Sequence, residues 1–316
     1  MIDGPSSYIP TLDEFLAHWA AVNLDPLAGS GLILREGKTR ANLATLRTAL
    51  AAAGAAVLDQ LNSKEIGRAQ LENKKRAVLG RAQELGRRLR GILAQNSPYL
   101  KAMPDLPSQS ASQEVFMLAI NDLENLWSRV NAEGTPVVLA AGYTFVSYEQ
   151  DVGELGTLFR DLGTAVLDLK ITREKRNKLQ ADARTLLSGY RPAVEGLFAP
   201  DSPLVLTIPL IYPPAGRTPQ AVTATATYAP ATQDAVVKFS ESIDPDLKEY
   251  EIRGVPGPEY NAEDEQVLGK IPKGALREYR TDFSLGQPGT SASFKVFVVL
   301  TTGNEKGSTA VTVTRP

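Results

Sequence analysis

The stretch LATLRTALAAAGAAVLDQL, residues 43–61, decides the fold class of the first two thirds of the chain. Its apolar side chains recur at intervals of three and four residues, which places them along one face of an α-helix. The same spacing returns in three further runs, at residues 78–92, 155–169 and 179–197. This part of the chain is therefore predicted to be all α-helical, with an apolar seam available for packing.

The polar residues between these runs decide how many long helices form. The seam becomes polar at Asn62-Ser63-Lys64 and again at Thr172-Arg173-Glu174. A turn at each place gives two antiparallel hairpins, so the predicted arrangement is a bundle of four long helices. One continuous helix of nearly 60 residues in place of each hairpin is the alternative, because neither glycine nor proline forces a break there.

Four pairs of similar segments recur in the same order, which indicates an internal duplication. The pairs are residues 19–23 with 127–131, 32–39 with 137–144, 75–76 with 175–176, and 97–100 with 202–205. We predict a helical region at 1–209, made of copies at about 1–104 and 110–209. Thr39 and Thr144 are predicted to cap the long helices. Thr11, with Glu14 three residues later, is the predicted start of the first short helix, whose Phe15, Trp19 and Val22 share one face.

The composition excludes several kinds of chemistry. The chain has 43% hydrophobic residues, one histidine and no cysteine. The absence of cysteine removes thiol catalysis, disulfides and iron–sulfur clusters, and with a single histidine it removes nearly all zinc sites. A Ser-His-Asp hydrolase would rest on His18 alone, and that residue lies beside an apolar helix face, where packing is the favoured role. No cofactor and no catalytic residue is predicted, and a carboxylate-based hydrolase is the remaining enzymatic alternative.

The N-terminus lacks the basic and apolar regions of a secretory signal. No segment approaches the roughly 20 apolar residues that span a bilayer, so no membrane span is expected. The expected location is therefore the cytoplasm, or outside the cell after export by a signal-independent route.

A change of pattern marks a second region at residues 220–316, after an extended proline-containing linker at 210–219. Short runs rich in valine, threonine, tyrosine and phenylalanine replace the helical spacing, and they predict β-strands. The candidate strands are residues 221–227, 235–239, 247–252, 278–283, 294–300 and 309–314. Strands of this length and number in about 100 residues are typical of an all-β sandwich.

Two stretches of this region resemble the fibronectin type III family. Residues 237–252 resemble its second strand, proline-containing loop and third strand, with Phe239 where the family usually has a tryptophan. Residues 294–313 are similar to its last hairpin. The resemblance implies an immunoglobulin-like sandwich used as a spacer or adhesive module, and it brings no catalytic residues. The helical region is vaguely similar to uncharacterised bacterial helical proteins that precede such a domain.

The segment from Gly31 to Gly37-Lys38-Thr39 is similar to a phosphate-binding loop. Such a loop has four residues between its glycines, but here five separate them. The matching segment ends in Gly142-Tyr-Thr144, without a lysine. A turn glycine followed by a helix cap, used twice, is the favoured interpretation.

A basic arm at residues 64–90 is the one candidate binding surface. Its cations are Lys74, Lys75, Arg76, Arg81, Arg87, Arg88 and Arg90. Such a face could bind an anionic polymer or an acidic partner, but a solvated helix face is the more common role. The arm has no aromatic residue to stack bases, so nucleic acid is not the expected partner.

Two acidic clusters are candidate calcium ligands or acid–base groups. Asp244 and Asp246, with Glu241 or Glu249, could hold calcium, but Asp-Pro-Asp is ordinary turn chemistry. The run Glu263-Asp264-Glu265 is predicted to be a solvated loop tip. Neither cluster has the pattern of a pocketed carboxylate pair, so no metal site is predicted.

These observations favour a non-enzymatic structural or interaction protein. The helical bundle would act as a rigid spacer or assembly unit, and the β-sandwich would be displayed for contact. A protein partner or self-association is the expected interaction. Binding of an anionic partner through the basic arm is the alternative.

Overall fold

The computed structural model describes Ile2 and residues 7–134, 136–212 and 216–316. It joins a helical N-terminal region to an antiparallel β-sheet region. The chain divides into two compact units, a first unit of residues 1–65 with 168–316 and a second unit of residues 66–167. The described α-helices are α1 (Tyr8–Leu24), α2 (Arg40–Ile92), α3 (Pro98–Lys101), α4 (Gln113–Glu133), α5 (Phe145–Ser188), α6 (Tyr190–Glu195) and α7 (Pro203–Leu206).

Helix α1 buries the face that the sequence indicated. Phe15, Trp19 and Val22 are all fully or almost fully buried, as predicted. The predicted start at Thr11 is wrong, because the helix begins at Tyr8. Thr11 lies in the first turn, where its hydroxyl donates to the Ser7 carbonyl at 2.9 Å instead of capping the helix.

The bundle of four long helices is corrected to two long helices. Helix α2 has 53 residues and α5 has 44, and both run through the polar positions where turns were predicted. No proline interrupts either stretch, so the backbone hydrogen bonds of the helix can continue through both. At the second of these positions, the Arg173 side chain pairs with Asp264 of the β region within the first unit.

Replacing Ser63 with proline tests whether α2 is continuous. Ser63 is exposed within α2, so proline should cost about 3 kcal/mol or more by removing a helical hydrogen bond and clashing with the preceding turn. Urea unfolding followed by circular dichroism measures this loss, and Ser63→Ala is the matched control. A proline variant as stable as the alanine variant would restore the hairpin interpretation.

Helix α2 alone among the described helices is long and apolar enough to cross a membrane by length and composition. Its most apolar window has a mean hydropathy of 1.3, and 17% of that window is buried within the protein. Helices of soluble proteins also meet this criterion, so it is weak evidence. The expectation of no membrane span stays a prediction.

Each unit packs a tryptophan-bearing helix against parts of both long helices. In the first unit α1 shares a core with the beginning of α2 and the end of α5, through Trp19, Leu43 and Ala183. In the second unit α4 shares a core with the end of α2 and the beginning of α5, through Trp127, Leu85 and Tyr148. All six of these side chains are fully buried.

The segment before each long helix has the same backbone geometry in both units. Gly37 and Gly142 both have φ +71°, and the residue before each of them is also left-handed. The amide of Leu34 donates to the Lys38 carbonyl at 2.8 Å, and that of Leu139 donates to Tyr143 at 2.8 Å. These segments are extended and end in a turn rather than entering a sheet.

Asparagine side chains secure both segments in the same way. Asn23 accepts from the Leu32 amide at 2.9 Å, and Asn131 accepts from the Val137 amide at 2.8 Å. Helix α2 begins directly after Thr39, and α5 begins directly after Thr144, whose hydroxyl accepts from the Ser147 amide at 3.3 Å. The predicted turn and helix start are therefore present at both places. The threonine cap is present at Thr144, whereas the Thr39 hydroxyl donates to the Asn42 side chain at 3.0 Å.

The β region consists of two antiparallel sheets. Its described strands are β1 (Ala224–Ala229), β2 (Asp234–Phe239), β3 (Leu247–Pro256), β4 (Gln266–Pro272), β5 (Glu278–Thr281), β6 (Ser291–Leu300), β7 (Glu305–Gly307) and β8 (Val311–Thr314). One sheet has the order β1-β2-β5, and the other has the order β4-β3-β6-β7 with β8 also paired to β6. Side chains from both sheets, such as Val237, Tyr250 and Phe294, form one core.

Each of the six candidate strands overlaps one observed strand, and the last, 309–314, contains the whole of β8. Strands β4 and β7 were not predicted. In β4 a Cβ at Gly269 would lie 2.4 Å from the Tyr279 ring, so this position needs glycine. A glycine inside a short run weakens the strand pattern, which is why β4 is not visible in the sequence.

Candidate functional site

A buried ion cluster covers one face of the second sheet. Arg253 on β3 has a side chain only 4% exposed. Its guanidinium donates to Glu251 at 2.9 Å, to Glu265 at 2.8 Å and to Glu305 at 2.8 Å. The Phe297 ring centre lies 3.9 Å from the guanidinium carbon, which adds a cation–π contact. Each carboxylate thus accepts a hydrogen bond from the guanidinium, so the cluster joins β3 to Glu265 and to β7.

The charges around Arg253 explain why it stays protonated. Burial lowers the pKa of Arg253, but the hydrogen bonds and charges of Glu305, Glu251 and Glu265 outweigh that effect and raise it above its usual range. Lys270 behaves in the same way. Burial lowers its pKa, but the charges and hydrogen bonds of Glu251 and Glu249 outweigh that effect, so the pKa is raised.

A second group of ion pairs, around Asp264, ties α5 to the β region within the first unit. The side chain of Asp264 is fully buried. The Arg173 side chain binds it through two hydrogen bonds, one of them 3.0 Å from Nε to Oδ1. Arg176 donates to the Glu263 carbonyl at 2.6 Å and reaches Asp264 at 3.4 Å. The solvated loop tip predicted at 263–265 is therefore wrong for Asp264 and Glu265, which are buried, while Glu263 is exposed. Cations from α5 offset the cost of burying Asp264, and Arg253 does the same for Glu265.

Glu65 makes the corresponding tie from α2. It is 3% exposed, and its Oε1 accepts from the Ser291 amide at 2.7 Å. Arg173 thus belongs to one of the polar interruptions of the apolar seam that were interpreted as turns, and Glu65 directly follows the other, Asn62-Ser63-Lys64. In the sequence, the signal for these contacts with the β region was a break in the apolar spacing next to charged residues.

A cleft of about 750 Å³ in the first unit is lined in part by Arg176, Asp264 and Arg253. One wall is apolar and comes from α2, including Leu50, Gly54 and Leu58. The other wall is charged and comes from the second sheet, including Glu249 and Lys270, which are 3.2 Å apart. Clefts at such boundaries are common binding sites, so this is the candidate functional site of the first unit.

The basic arm is only partly available as a surface. Lys74 binds Asp151 at 2.6 Å and Glu154 at 2.5 Å. Lys75 is buried, with its ammonium 5.0 Å from the Phe116 ring centre. Arg81 binds Glu84 at 2.9 Å. These three cations stabilise the second unit. The exposed members are Arg76, Arg87, Arg88 and Arg90.

The other acidic candidate is engaged by neighbours. The Asp244 carboxylate binds Arg217 at 2.8 Å and accepts from the Gln220 amide at 2.9 Å. The amide of Asp244 in turn donates to the Ser242 hydroxyl oxygen at 3.2 Å, as in a polar turn. Among the described residues, no group of three or more acidic or histidine side chains is placed to hold a metal ion.

His18 joins three helices in the first unit. Its Nε2 donates to the Leu204 carbonyl at 2.9 Å, because a carbonyl can only accept. In the neutral ring Nδ1 then accepts from the Tyr190 hydroxyl at 2.7 Å. Burial lowers the pKa of His18, the bond to Leu204 acts in the opposite direction, and the charge of Arg191 lowers it further. The net effect favours the neutral ring.

This pKa shift predicts that acid destabilises the first unit. The unfolded chain takes up a proton at His18 near the ordinary pKa of about 6.5, whereas the folded chain does so at a lower pH. The contribution is therefore complete above that value and is lost as the pH falls toward the folded pKa. Urea midpoints at about pH 8 and about pH 5 should differ more in the wild type than in His18→Gln. Equal differences would contradict this assignment.

No protein-family model matches the chain, and no curated protein matches it. A solved structure of a Fn3-like protein from Clostridium thermocellum is similar to the C-terminal part, with 16% identity over 32% of this chain and 96% of that chain, and a TM-score of 0.25. Pectate lyase PelI from Erwinia chrysanthemi in complex with tetragalacturonic acid has 15% identity over 29% of this chain and 28% of that chain, with a TM-score of 0.25. Titin kinase with its flanking domains has 13% identity over 30% of this chain and 17% of that chain, with a TM-score of 0.24. Similarities this low carry no argument about function.

Proposed function

We propose that this chain is a non-enzymatic structural or interaction protein, in which the helical region is a rigid support and the β region is the displayed contact module. The observation that carries the proposal is the fully buried Asp264 between Arg173 and Arg176. Removing one partner of a buried ion pair is strongly unfavourable, so such a contact resists opening. A proline-containing linker alone would leave the β region mobile, whereas these ties fix its position on the helices.

The helical region is, in this proposal, an internal duplication with copies at about 1–104 and 110–209. Support comes from the equal turns at Gly37 and Gly142 and the equal asparagine bonds at Asn23 and Asn131. The short helices α3 and α7 add to it, since Ser97 and Ser202 each accept from the amide two residues later at 3.3 Å. These positions are separated by 105 or 108 residues. Residues 75–76 and 175–176 do not fit that separation, and their surroundings differ.

The β region is, in this proposal, an immunoglobulin-like sandwich of the fibronectin type III kind. Support comes from the strand orders, with β1, β2 and β5 in one sheet and β3, β4, β6, β7 and β8 in the other. A single core formed by both sheets is typical of such sandwiches. Phe239 is buried in it, with its ring centre 4.8 Å from that of Tyr250.

Small-angle X-ray scattering tests the rigid support. The wild type should scatter as one ordered body, and Glu65→Ala with Asp264→Ala should increase the radius of gyration while keeping the circular dichroism of folded helices. Asp246→Ala is the matched control, because Asp246 is 63% exposed. A wild-type profile already typical of flexibly linked parts would contradict the proposal, and so would saturable turnover of a small substrate.

A second candidate function is binding of an anionic polymer or acidic partner by the second unit. The observation that favours it is the exposure of Arg76, Arg87, Arg88 and Arg90. Arg76, Arg87 and Arg90 fall within about 60° of one another around α2 at the α-helical repeat, so they share a face.

Heparin affinity chromatography measures this activity. If the arginines bind phosphate- or sulfate-like groups, Arg87→Ser with Arg90→Ser should elute at lower salt than the wild type, since each lost contact reduces the dependence on salt. Arg160→Ser on α5, 72% exposed, combined with Arg129→Ser on α4, also exposed, removes two charges outside the arm and is the control for loss of charge alone. Equal elution of all three proteins would exclude this surface.

A further inference from the structure

A groove of about 1060 Å³ lies in the first unit, apart from the charged cleft. It is formed by the segment 33–38, the beginning of α2 and the end of α5 with α6. Leu46 and Ala49 from α2 face Leu179 and Leu186 from α5 across it. All four contribute apolar surface, and none of the leucines is fully buried.

The corresponding positions of the second unit lie 105 residues away, the separation set by the paired glycine turns at Gly37 and Gly142. The pairs are Lys38 with Tyr143, Leu46 with Asp151, Ala49 with Glu154, Leu179 with Lys74, Leu186 with Arg81, and Gly189 with Glu84. Every first-unit member of these pairs lines the groove.

In the second unit those positions fill the space with a connected network. The Tyr143 hydroxyl donates to Asp151 at 2.5 Å, and its ring centre lies 4.4 Å from the Arg81 guanidinium carbon. Lys74 joins Asp151 to Glu154. In the second unit, the chain itself therefore places an aromatic ring, that of Tyr143, in this space.

In the first unit the chain supplies none of these groups. Leucine, alanine and glycine replace the long polar side chains, and Lys38 replaces the tyrosine. The charged residues at the rim balance, with Arg35 and Lys38 against Glu36 and Asp182. A rim without net charge gives no preference for an anionic polymer.

We propose that the groove binds a peptide segment of a protein partner that inserts a tyrosine side chain between Leu46 and Leu186. The ring would take the place that Tyr143 takes in the second unit, and the balanced rim would contact the peptide backbone and polar side chains. This inference rests on the proposed role as an interaction protein, because it names the class of partner.

Disulfide tethering tests the groove with a defined probe. The chain has no cysteine, so Thr45→Cys provides a single thiol at the groove rim. The probes are tyrosine and alanine, each coupled through its carboxyl group to cystamine, and intact-mass spectrometry measures the labelled fraction against increasing 2-mercaptoethanol. The tyrosine adduct should survive about tenfold more reductant than the alanine adduct, a ratio equivalent to about 1.4 kcal/mol.

Two controls make the result specific. Gln150→Cys is the corresponding exposed position of the second unit, where the space is filled, and it should show no preference. Thr45→Cys combined with Lys38→Tyr, Leu46→Asp and Leu186→Arg gives the groove the same internal occupant as Tyr143, Asp151 and Arg81 in the second unit, and it should also lose the preference.

Equal survival of both probes at Thr45→Cys would overturn the inference. A stronger preference for a hexanoate probe coupled through a cysteamine amide would overturn it too, since the groove would then accept an aliphatic ligand. Scattering by a flexible β region would contradict the proposed support while leaving this binding result intact, so the two failures are distinguishable.

Discussion

Replacing Asp264 with alanine should lower the free energy of unfolding of the first unit by about 3–5 kcal/mol, the cost of leaving buried cations without their partner. Arg176 has a side chain only 6% exposed, so water cannot easily replace the carboxylate. Urea unfolding followed by tryptophan fluorescence and circular dichroism measures the change. The β region should then unfold at lower urea than the helices, because the tie between them is lost.

A charge-free variant separates lost pairing from lost packing. Asp264→Leu with Arg173→Met and Arg176→Met removes the ions together, so it should be far more stable than Asp264→Ala. Asp246→Ala should change stability by less than about 1 kcal/mol, as expected for an exposed ion pair. An Asp264→Ala variant as stable as this control would show that the buried pairs do not form.

Replacing Arg253 with methionine should have an effect of similar size, about 3–5 kcal/mol, inside the β region. The substitution leaves Glu251, Glu265 and Glu305 close together without the cation that they share. Like charges at this range repel, and this repulsion adds to the loss of the hydrogen bonds. Thermal unfolding of the variant and of the wild type measures the loss.

Arg280→Met is the matched control for this prediction. Arg280 lies on β5 with a side chain 51% exposed, so its loss should cost at most about 1 kcal/mol. A loss in Arg253→Met no larger than that in Arg280→Met would contradict the account of a shared buried cation.

The sequence was sufficient for the class of each region and for much of the cores. Helical spacing identified Phe15 and Trp19 as buried, and strand composition located β2 and β3. These features depend on local periodicity, which a single sequence contains. The repeated turns at Gly37 and Gly142 were also visible, because glycine favours left-handed backbone.

The polar contacts could not be predicted because they join distant parts of the chain. Arg173 and Asp264 are 91 residues apart, and Glu65 and Ser291 are 226 residues apart. Taken separately, each is a polar residue in a seam or a loop, and a turn or a solvated tip is then the simpler interpretation. Only the fold places opposite charges together, and this explains why the polar interruptions do not break α2 and α5.

The groove was hidden for a different reason. Leu46, Leu179 and Leu186 fit an apolar seam, so the sequence assigns them to the core. Their exposure becomes evident only when the first unit is compared with the second, where Asp151, Lys74 and Arg81 fill the corresponding space.

Pulsed electron spin resonance tests the central claim, the fixed position of the β region on the helices. Ala52→Cys on α2 and Thr227→Cys on β1 place two spin labels at exposed positions of the first unit, and no native cysteine competes for them. The account predicts one narrow distance distribution in the wild-type background and a broad one after Asp264→Ala. A broad distribution in the wild-type background, unchanged by Asp264→Ala, would contradict it.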